Sequence, residues 1–373
     1  MQLGKPALAV WLSVIGVAAA WVIWKGFTTH PPIGTSLSTP PVGASLLGRP
    51  LKVGIASRPG YVGGIVACKG FKCDETSIYR TKYHLPVEFV LLEDADSRAK
   101  AFARGDVDIV WTTVDLSASE LPAFVAARTP AKIIIQVDWS RGGDAIVADK
   151  SIRRPEDLEG RRIALVPMGP SRWLLENVLG QSELRDDEVA ALMKTVDIKG
   201  SSSEASEAFA LGNSDAAVVW WPDVKEALAK RPGAHVLASS KTRDHIIADC
   251  LIAHQEFIAK HPAVIMAFVN GWLDGTTKAN ADHPMVARLL MENECQYKNL
   301  GEDQILTGLD TVKWADLGDN VEMFGLDGRQ PVFAKLFRDA GQLWFKRGNI
   351  KKLVAPAEAV DLTFVREAYQ AQR

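Results

Sequence analysis

Tryptophan and polar side chains gather where apolar runs of the sequence end. Of the eight Trp residues after position 50, five stand at such places: Trp111, Trp139, Trp173, Trp220 and Trp221. The polar residues at the same kind of place are Tyr61, Thr112, Thr113, Asp138, Ser171, Arg172 and Asp223. Aromatic walls suit an organic ligand, and a desolvated cation over Trp gains about 2 kcal/mol. We expect these residues to line a ligand-binding site.

The charges at these places are mixed. Arg58, Arg141 and Arg172 could pair with an anion, and a helix start at Ser171 would favour an anion by about 0.3–1 kcal/mol. Asp115, Asp138 and Asp223 could instead pair with a cation. Each of these charges could also be a solvated loop charge, an interpretation that is favoured for Arg58 and Arg141, and Asp115 could equally cap the next helix. A zwitterion or an amine-bearing aromatic ligand fits this mixed set best.

One phrase occurs twice in the chain. Residues 101–111 are AFARGDVDIVW, and residues 208–220 are AFALGNSDAAVVW. Each phrase predicts a helix that ends at glycine, Gly105 or Gly212, followed by a buried strand that ends in Trp. The repetition indicates two similar halves, and the period of 107 residues is too long for a solenoid.

Two further repeats place the elements that would position these residues. The segments starting at Lys52 and Arg162 both predict a strand, a tight loop and a helix, as in an α/β unit. DAIVA at 144–148 resembles DCLIA at 249–253, where the chain would cross between halves. We therefore expect lobe one to hold residues 51–140 and 250–373, and lobe two residues 141–249, joined by two crossing strands at a hinge.

The C-terminal third has a helical pattern. PAVIMAFVNGWL begins with Pro262, which suits the first helical position. In PVFAKLFRDAGQLWF, apolar residues recur at helical spacing, namely Phe333, Leu336, Phe337, Ala340 and Trp344. We expect these helices to pack on lobe one.

The first fifty residues differ from the rest and contain neither Asp nor Glu. Residues 7–24 form an uncharged apolar stretch of 18 residues, longer than the usual signal-peptide core and slightly short for a spanning helix. Trp21 and Trp24 beside Lys25 favour an uncleaved anchor over a cleaved signal peptide. Sixteen of residues 26–50 are Pro, Gly, Ser or Thr, which predicts a flexible linker. The chain is thus expected at the outer face of the cytoplasmic membrane.

Four cysteines in 373 residues do not make a disulfide scaffold. Cys68 and Cys73 lie close in sequence, so an exported protein could bridge them, leaving Cys250 and Cys295 as the other pair. Three connectivities are open, and buried free thiols explain the cysteines equally well.

Charge and motifs argue against several classes of function. The formal net charge is -2, and no basic cluster suggests a nucleic-acid surface. Gly60 to Gly64 is not followed by the Gly-Lys-Ser/Thr of a phosphate loop, and there is no nucleophile elbow. The seven His residues show no metal-ligand spacing. We expect no catalytic residues, no metal and no cofactor.

At this point the sequence resembles a known family. DLEGRRIALVPMGPSRWLL at 157–175, the two AFAxGxxD phrases and VVWWPD at 218–223 are similar to type II periplasmic substrate-binding proteins of ABC transporters. The subgroup most similar binds nitrate, aliphatic sulfonates, taurine or thiamine-pyrimidine precursors. In that family the loop at Gly169 to Ser171 touches the ligand. The family's Ser/Thr-His-aromatic triplet is Ser171-Arg172-Trp173 here, which leaves the charge of the ligand open.

The resemblance implies a two-lobed α/β fold of the type II periplasmic-binding-protein class, here preceded by the N-terminal membrane helix. It implies a non-catalytic protein that captures a small organic solute and delivers it to a permease on a separate chain. Two alternatives stay open. One is a ligand sensor or scaffold without a transport role, and the other is an enzyme like the pyrimidine synthase of the same superfamily.

Overall fold

The computed structural model describes residues 47–242, 245–293, 297–298 and 300–373. The predicted anchor at residues 7–24 and most of the linker at 26–50 lie outside these ranges, as does Cys295. Within the ranges, no helix combines the length and the apolar character needed to cross a bilayer.

The strands of the described residues are short, as is usual for α/β proteins. They are β1 (Leu51–Ile55), β2 (Val87–Leu91), β3 (Ile109–Thr113), β4 (Ala131–Ser140), β5 (Asp144–Ala148), β6 (Ile163–Leu165), β7 (Asp197–Ile198), β8 (Ala216–Trp220), β9 (His235–Ser239), β10 (Ala248–His254) and β11 (Val312–Trp314).

Helices connect and cover these strands. They are α1 (Val62–Cys68), α2 (Ile78–Tyr83), α3 (Ala95–Arg104), α4 (Val114–Ala126), α5 (Pro170–Leu179), α6 (Asp186–Leu192), α7 (Ser202–Ala210), α8 (Asp223–Lys230), α9 (Gln255–Lys260), α10 (Pro262–Ala281), α11 (His283–Asn293), α12 (Glu302–Leu309), α13 (Leu317–Phe324), α14 (Val332–Lys346), α15 (Pro356–Ala359) and α16 (Thr363–Ala371).

The strands form two sheets, one in each lobe. Sheet one has the order β11-β4-β10-β3-β1-β2, and sheet two has the order β7-β6-β8-β5-β9. The chain passes from sheet one to sheet two after Ser140 and returns before Ala248. DAIVA therefore forms β5 in sheet two, whereas DCLIA lies within β10 in sheet one. The long β4 and β10 pair antiparallel in the middle of sheet one.

The repeated phrase forms the same unit in both lobes. Gly105 and Gly212 have φ of 75° and 76°, a left-handed conformation that glycine adopts without strain at a helix end. The phrase's Asp residues have the same role. Asp108 accepts the N–H of Lys52 at 3.0 Å, and Asp215 accepts the N–H of Arg162 at 3.0 Å. Each Asp thus fixes the start of the neighbouring parallel strand, which explains why the phrase keeps it.

The C-terminal helices cover sheet one, as the sequence predicts. Helix α10 begins with Pro262 and packs against α1, where Gly275 lies so close to Gly63 that a Cβ would be 1.9 Å from the Gly63 oxygen. Helix α14 buries the whole predicted face: Phe333, Leu336, Phe337, Ala340 and Trp344. One buried apolar cluster includes residues of both lobes, from Phe337 on α14 to Leu174 on α5.

Candidate functional site

The two sheets present the same kind of edge to each other. The carboxyl ends of the parallel strands β1, β2 and β3 lie at one edge of sheet one, and those of β6, β7 and β8 lie at one edge of sheet two. Ligands bind at such edges in α/β proteins. The lobes are closed in this structure. The gap that remains between Arg58, Gly143, Trp220 and Thr311 has no room for a water molecule.

The loop after β1 lies against β4. Gly60 has no side chain, and a Cβ there would meet Asp138 Oδ2 at 1.9 Å, so the close approach requires glycine. The next residue, Tyr61, is fully buried, and its hydroxyl donates to Asp249 Oδ2 at 2.6 Å. Sequence analysis placed Tyr61 and Asp138 in the site, and the structure brings them to one buried cluster.

That cluster, the hinge cluster, holds Arg58, Tyr61, Asp138, Asp144 and Asp249. Its guanidinium nitrogens lie 3.8 Å from Asp138, 3.7 Å from Asp144 and 3.4 Å from Asp249. All five side chains are buried, and Asp144 starts β5 while the other carboxylates lie on β4 and β10. Arg58 is therefore a buried charge, and its interpretation as a solvated loop residue is wrong. Three carboxylates surround one cation, which leaves an excess of negative charge.

The pKa values in the hinge cluster follow from burial and this excess. Burial raises the pKa of Asp138 well above its usual range, and the charge of Asp249 raises it further. Burial also raises the pKa of Asp249, although Arg58 opposes the shift. Burial alone would lower the pKa of Arg58, but the three carboxylates raise it well above its ordinary value. The cluster thus favours uptake of protons or of another cation.

Asp115 is a second buried carboxyl near this cluster. It lies in the first turn of α4, 2% exposed, and neither carboxylate oxygen has a hydrogen-bond partner. The cap of this helix is Thr113, whose hydroxyl accepts from Leu116 N at 3.3 Å. Burial raises the pKa of Asp115 to about 8, helped by the charges of Asp144 and Asp249. The helix-cap explanation of Asp115 is therefore wrong, and its carboxyl is largely neutral at pH 7.

The residues at the end of β3 point to partners within lobe one. The Trp111 indole N–H donates to Leu92 O at 2.8 Å, and the Arg98 guanidinium lies 4.2 Å from the Trp111 ring. Thr112 donates to Glu120 Oε2 at 2.9 Å. Burial lowers the pKa of Arg98 to about 10, so it stays cationic at pH 7. That Trp111 lines a ligand-binding site stays a prediction.

The loop before α5 reaches toward lobe one. A Cβ on Gly169 would lie 3.5 Å from Leu116 on α4, so the first turns of α4 and α5 approach each other. Ser171, 1% exposed, has a hydroxyl without a hydrogen-bond partner. The next two residues have hydrogen-bond partners within lobe two. Arg172 donates to Glu176 at 3.3 Å, and the Trp173 indole donates to Ile246 O at 2.8 Å.

The last residue of β8, Trp220, and the next residue, Trp221, differ in exposure. Trp221 is 7% exposed and packs against Gly308 and Tyr297 of lobe one. Trp220 is half-buried, and its backbone N–H donates to Ser202 Oγ at 3.1 Å. Both tryptophans line the gap beside Arg58. The strand thus places adjacent Trp side chains in different surroundings.

Asp223 follows these tryptophans at the start of α8, half-buried. Burial raises its pKa to about 6, although a hydrogen bond from Ser202 opposes the shift. Trp139, at the end of β4, is 4% exposed and packs edge-on against His245, with ring centroids 4.6 Å apart.

Glu93 is a candidate site residue that the sequence did not indicate. It follows β2 at the same edge of sheet one, is half-buried, and accepts the N–H of Ser57 at 2.6 Å. Burial raises the pKa of Glu93, and the charge of Asp223 on lobe two raises it further. The two carboxylates, one from each lobe, are therefore close enough to repel each other. The rule that ligands bind at the ends of parallel strands, applied to β2 as to β3, would have found it.

Among the described residues, two cysteines pair and the metal-ligating side chains form no cluster. Cys68 and Cys73 form a disulfide bond, and Cys250 is a buried free thiol in β10. Across the ranges that the structure describes, no group of three or more His, Cys, Asp or Glu side chains is arranged to hold a metal ion.

Comparison with known sequences supports the resemblance. Residues 140–287 match the family model described as NMT1/THI5 like. The taurine-binding periplasmic protein of Escherichia coli (strain K12) is 28% identical over 191 residues, which cover 50% of this chain and 56% of that protein. The chain thus spans about half the length of the curated relatives it matches.

Solved structures show the same fold. The alkanesulfonate-binding protein SsuA from Xanthomonas axonopodis pv. citri, bound to MOPS, has a TM-score of 0.64 at 17% identity, covering 84% of this chain and 98% of its own. The desulfurization enzyme DSZB has a TM-score of 0.58 at 14% identity, covering 87% of this chain and 100% of its own. The predicted resemblance to type II periplasmic substrate-binding proteins and the two-lobed α/β fold are confirmed. The fold alone does not separate binding from catalysis, because both kinds of protein share it.

Proposed function

We propose that this chain is an extracytoplasmic solute-binding protein that captures a small organic ligand between its lobes and delivers it to a separate ABC transporter permease. The observation that carries the proposal is the meeting of strand ends from two sheets, with aromatic and charged side chains contributed by both lobes. The taurine-binding and alkanesulfonate-binding proteins similar to this chain support it.

The charges at these strand ends favour a zwitterionic ligand. Glu93 and Asp223, one from each lobe, repel each other, and a ligand ammonium beside them would relieve that repulsion. The start of α5, with the unpartnered hydroxyl of Ser171, suits the anionic end of the ligand. Taurine, named for one relative, and MOPS, bound to another, each combine a sulfonate with an amine.

Within this proposal, the residues that the sequence predicts to bind ligand have the following roles. Trp220 forms an aromatic wall, Asp223 binds the cationic group and Ser171 the anionic group. The other members act as walls and supports of the site: Tyr61, Trp111, Thr112, Thr113, Asp138, Trp139, Arg172 and Trp173. Lobe one is taken as 51–140 and 250–373, and lobe two as 141–249. The sheet positions of β5 and β10 support a hinge where the chain crosses.

The ligand class is tested by calorimetric titration with three probes: taurine, ethanesulfonate and ethylamine. Taurine is expected to bind most tightly, because it alone offers both charges. Asp223→Asn is expected to weaken taurine binding about tenfold and to leave ethanesulfonate binding unchanged. Taurine affinity is also expected to fall below pH 6, because the pKa of Asp223 is about 6 and protonation removes the charge that binds the ammonium.

The exposed carboxylate Asp187 on α6 provides the control, since Asp187→Asn removes a charge away from the strand ends. Equal loss of ethanesulfonate and taurine binding in Asp223→Asn would contradict the assigned role of Asp223. Catalytic turnover of a bound probe would favour an enzyme, and a melting shift caused only by a partner protein would favour a scaffold.

The location is part of the proposal. We expect export and retention at the outer face of the cytoplasmic membrane through residues 7–24, because that stretch is apolar, uncharged and ends with Trp21 and Trp24 beside Lys25. Fractionation of tagged full-length protein should find it in the membrane fraction, released by detergent and not by high salt. Intact mass should show the uncleaved chain. A soluble species beginning near Trp21 would contradict the anchor, and a cytosolic pool would contradict export as well.

A further inference from the structure

Helix α5 of lobe two packs against helix α14 of lobe one through aromatic side chains. Trp344 on α14 is fully buried, and its ring centroid lies 6.3 Å from that of Trp173 on α5. The Arg172 guanidinium lies 5.8 Å from the Trp344 ring. The Trp344 indole donates to Asp115 O at 2.8 Å, which ties α14 to the start of α4. The contact between the lobes is therefore a packed interior.

A charged pair fixes the same contact. Glu176 on α5 is 3% exposed, and Arg347 after α14 donates to it through Nε at 3.0 and 3.1 Å and through Nη2 at 2.6 Å. Arg172 donates to Glu176 as well, at 3.3 Å. Two cations from different lobes thus share one buried carboxylate. We call Arg172, Trp173, Glu176, Trp344 and Arg347 the clasp.

Opening the lobes would break the clasp at a high cost. It would expose Trp173 and Trp344 to water and would separate Glu176 from Arg347, which lies on the other lobe. Trp221 of lobe two, packed against Gly308 and Tyr297 of lobe one, would be exposed too. Each of these contacts is made directly between protein side chains of the two lobes.

We propose that the clasp holds the lobes closed without ligand, so that ligand entry waits for the clasp to open. The first part concerns the protein alone. The second part rests on the proposed solute-binding function. A binding protein whose open form is a minor state takes up ligand slowly, because only the open fraction is competent.

The clasp is tested by pulsed electron–electron double resonance, which measures the distance between two spin labels, on ligand-free, full-length protein. Val125, exposed on lobe one, and Leu211, exposed on lobe two, are each replaced by a non-natural amino acid that carries a spin label. The wild-type protein is expected to show one narrow distance. Glu176→Gln is expected to add a longer distance, with the open-to-closed ratio raised at least about tenfold, because it removes the charge shared by Arg172 and Arg347.

Lys346→Gln is the matched control. It breaks the exposed pair Lys346–Asp186, 3.2 Å long, between the same two lobes, and it is expected to leave the distance distribution unchanged. Arg347→Lys is a second variant. It keeps the positive charge but loses the bidentate hydrogen bond to Glu176, and it should open the lobes less than Glu176→Gln. A broad distribution in the wild-type protein would overturn the proposal. So would an unchanged distribution in folded Glu176→Gln.

Ligand entry is measured separately, by stopped-flow association of taurine. Glu176→Gln is expected to raise the association rate about tenfold, in proportion to the open fraction. If the distances change as expected and none of the probes binds, the clasp stands and the proposed function fails. If taurine binds at the same rate to both proteins, entry is not limited by the clasp.

Discussion

Replacing Trp220 by alanine is expected to weaken ligand binding at least tenfold, about 1.4 kcal/mol, with little change in stability. The ring is half-buried and lines the gap between the lobes beside Arg58, so its loss removes a wall of the proposed site and little of the core. Trp221→Ala is expected to do the reverse. Trp221 is 7% exposed against Gly308 and Tyr297, and its truncation should cost about 3–5 kcal/mol of unfolding free energy.

The two variants control for each other, since they remove the same side chain from neighbouring positions. Calorimetric titration gives the affinity, and urea unfolding gives the stability. If Trp220→Ala is the less stable protein and Trp221→Ala the weaker binder, the assignment of the two faces of this strand end is wrong. Equal losses in both variants would show that neither Trp has a separate role.

The stability of the protein is expected to fall as the pH rises from 6 to 8. Asp115 has a pKa of about 8 in the folded protein, because of burial, and an ordinary pKa near 4 when unfolded. Between these values the folded state binds one more proton than the unfolded state. The unfolding free energy therefore decreases with rising pH, by about 2 kcal/mol from pH 6 to 8 for this one group.

Asp115→Asn should remove that part of the pH dependence, because an amide does not titrate. The buried carboxyls of Asp138 and Asp249, with raised pKa values, act in the same direction in both proteins, so the difference between the curves isolates Asp115. Urea unfolding at several pH values provides the measurement, with exposed Asp187→Asn as the control. Parallel curves for wild type and Asp115→Asn would show that this carboxyl is ionised throughout the range.

Much of the fold follows from local patterns in the sequence. The repeated phrase predicts a helix, a left-handed glycine and a strand, and the structure adds why Asp108 and Asp215 are kept: each accepts a backbone N–H at the start of the neighbouring parallel strand. The face of α14 follows from helical spacing. These features depend on neighbouring residues along the chain, which is what periodicity and turn chemistry report.

The surroundings of the individual Trp residues could not be predicted in the same way. Trp111 and Trp220 close the two copies of the repeated phrase, but β3 continues to Thr113 whereas β8 ends at Trp220. Arg98 from α3 covers the Trp111 ring, while Trp220 lines a gap. Trp173 is placed by its packing on Trp344, more than 170 positions further along the chain. Such contacts depend on how distant elements pack, and strand parity carries no information about them.

The hinge cluster shows the same limit for charges. Arg58 looks like a loop charge in the sequence, because nothing near it is acidic. The fold brings it within 3.8 Å of carboxylates from three strands, and Gly60 permits that approach. The sequence contains each partner, but only the pairing of β4 with β10 and the crossing to β5 brings them together.

Native mass spectrometry of gently purified protein tests the central claim most directly. If the chain captures a small organic solute between its lobes, the spectrum should show a non-covalent one-to-one adduct, either carried through purification or formed with taurine. Trp220→Ala should lose that adduct while keeping the wild-type charge-state distribution of a folded protein. An unliganded mass alone, after exposure to sulfonates, amines, betaines and pyrimidines in turn, would contradict the account.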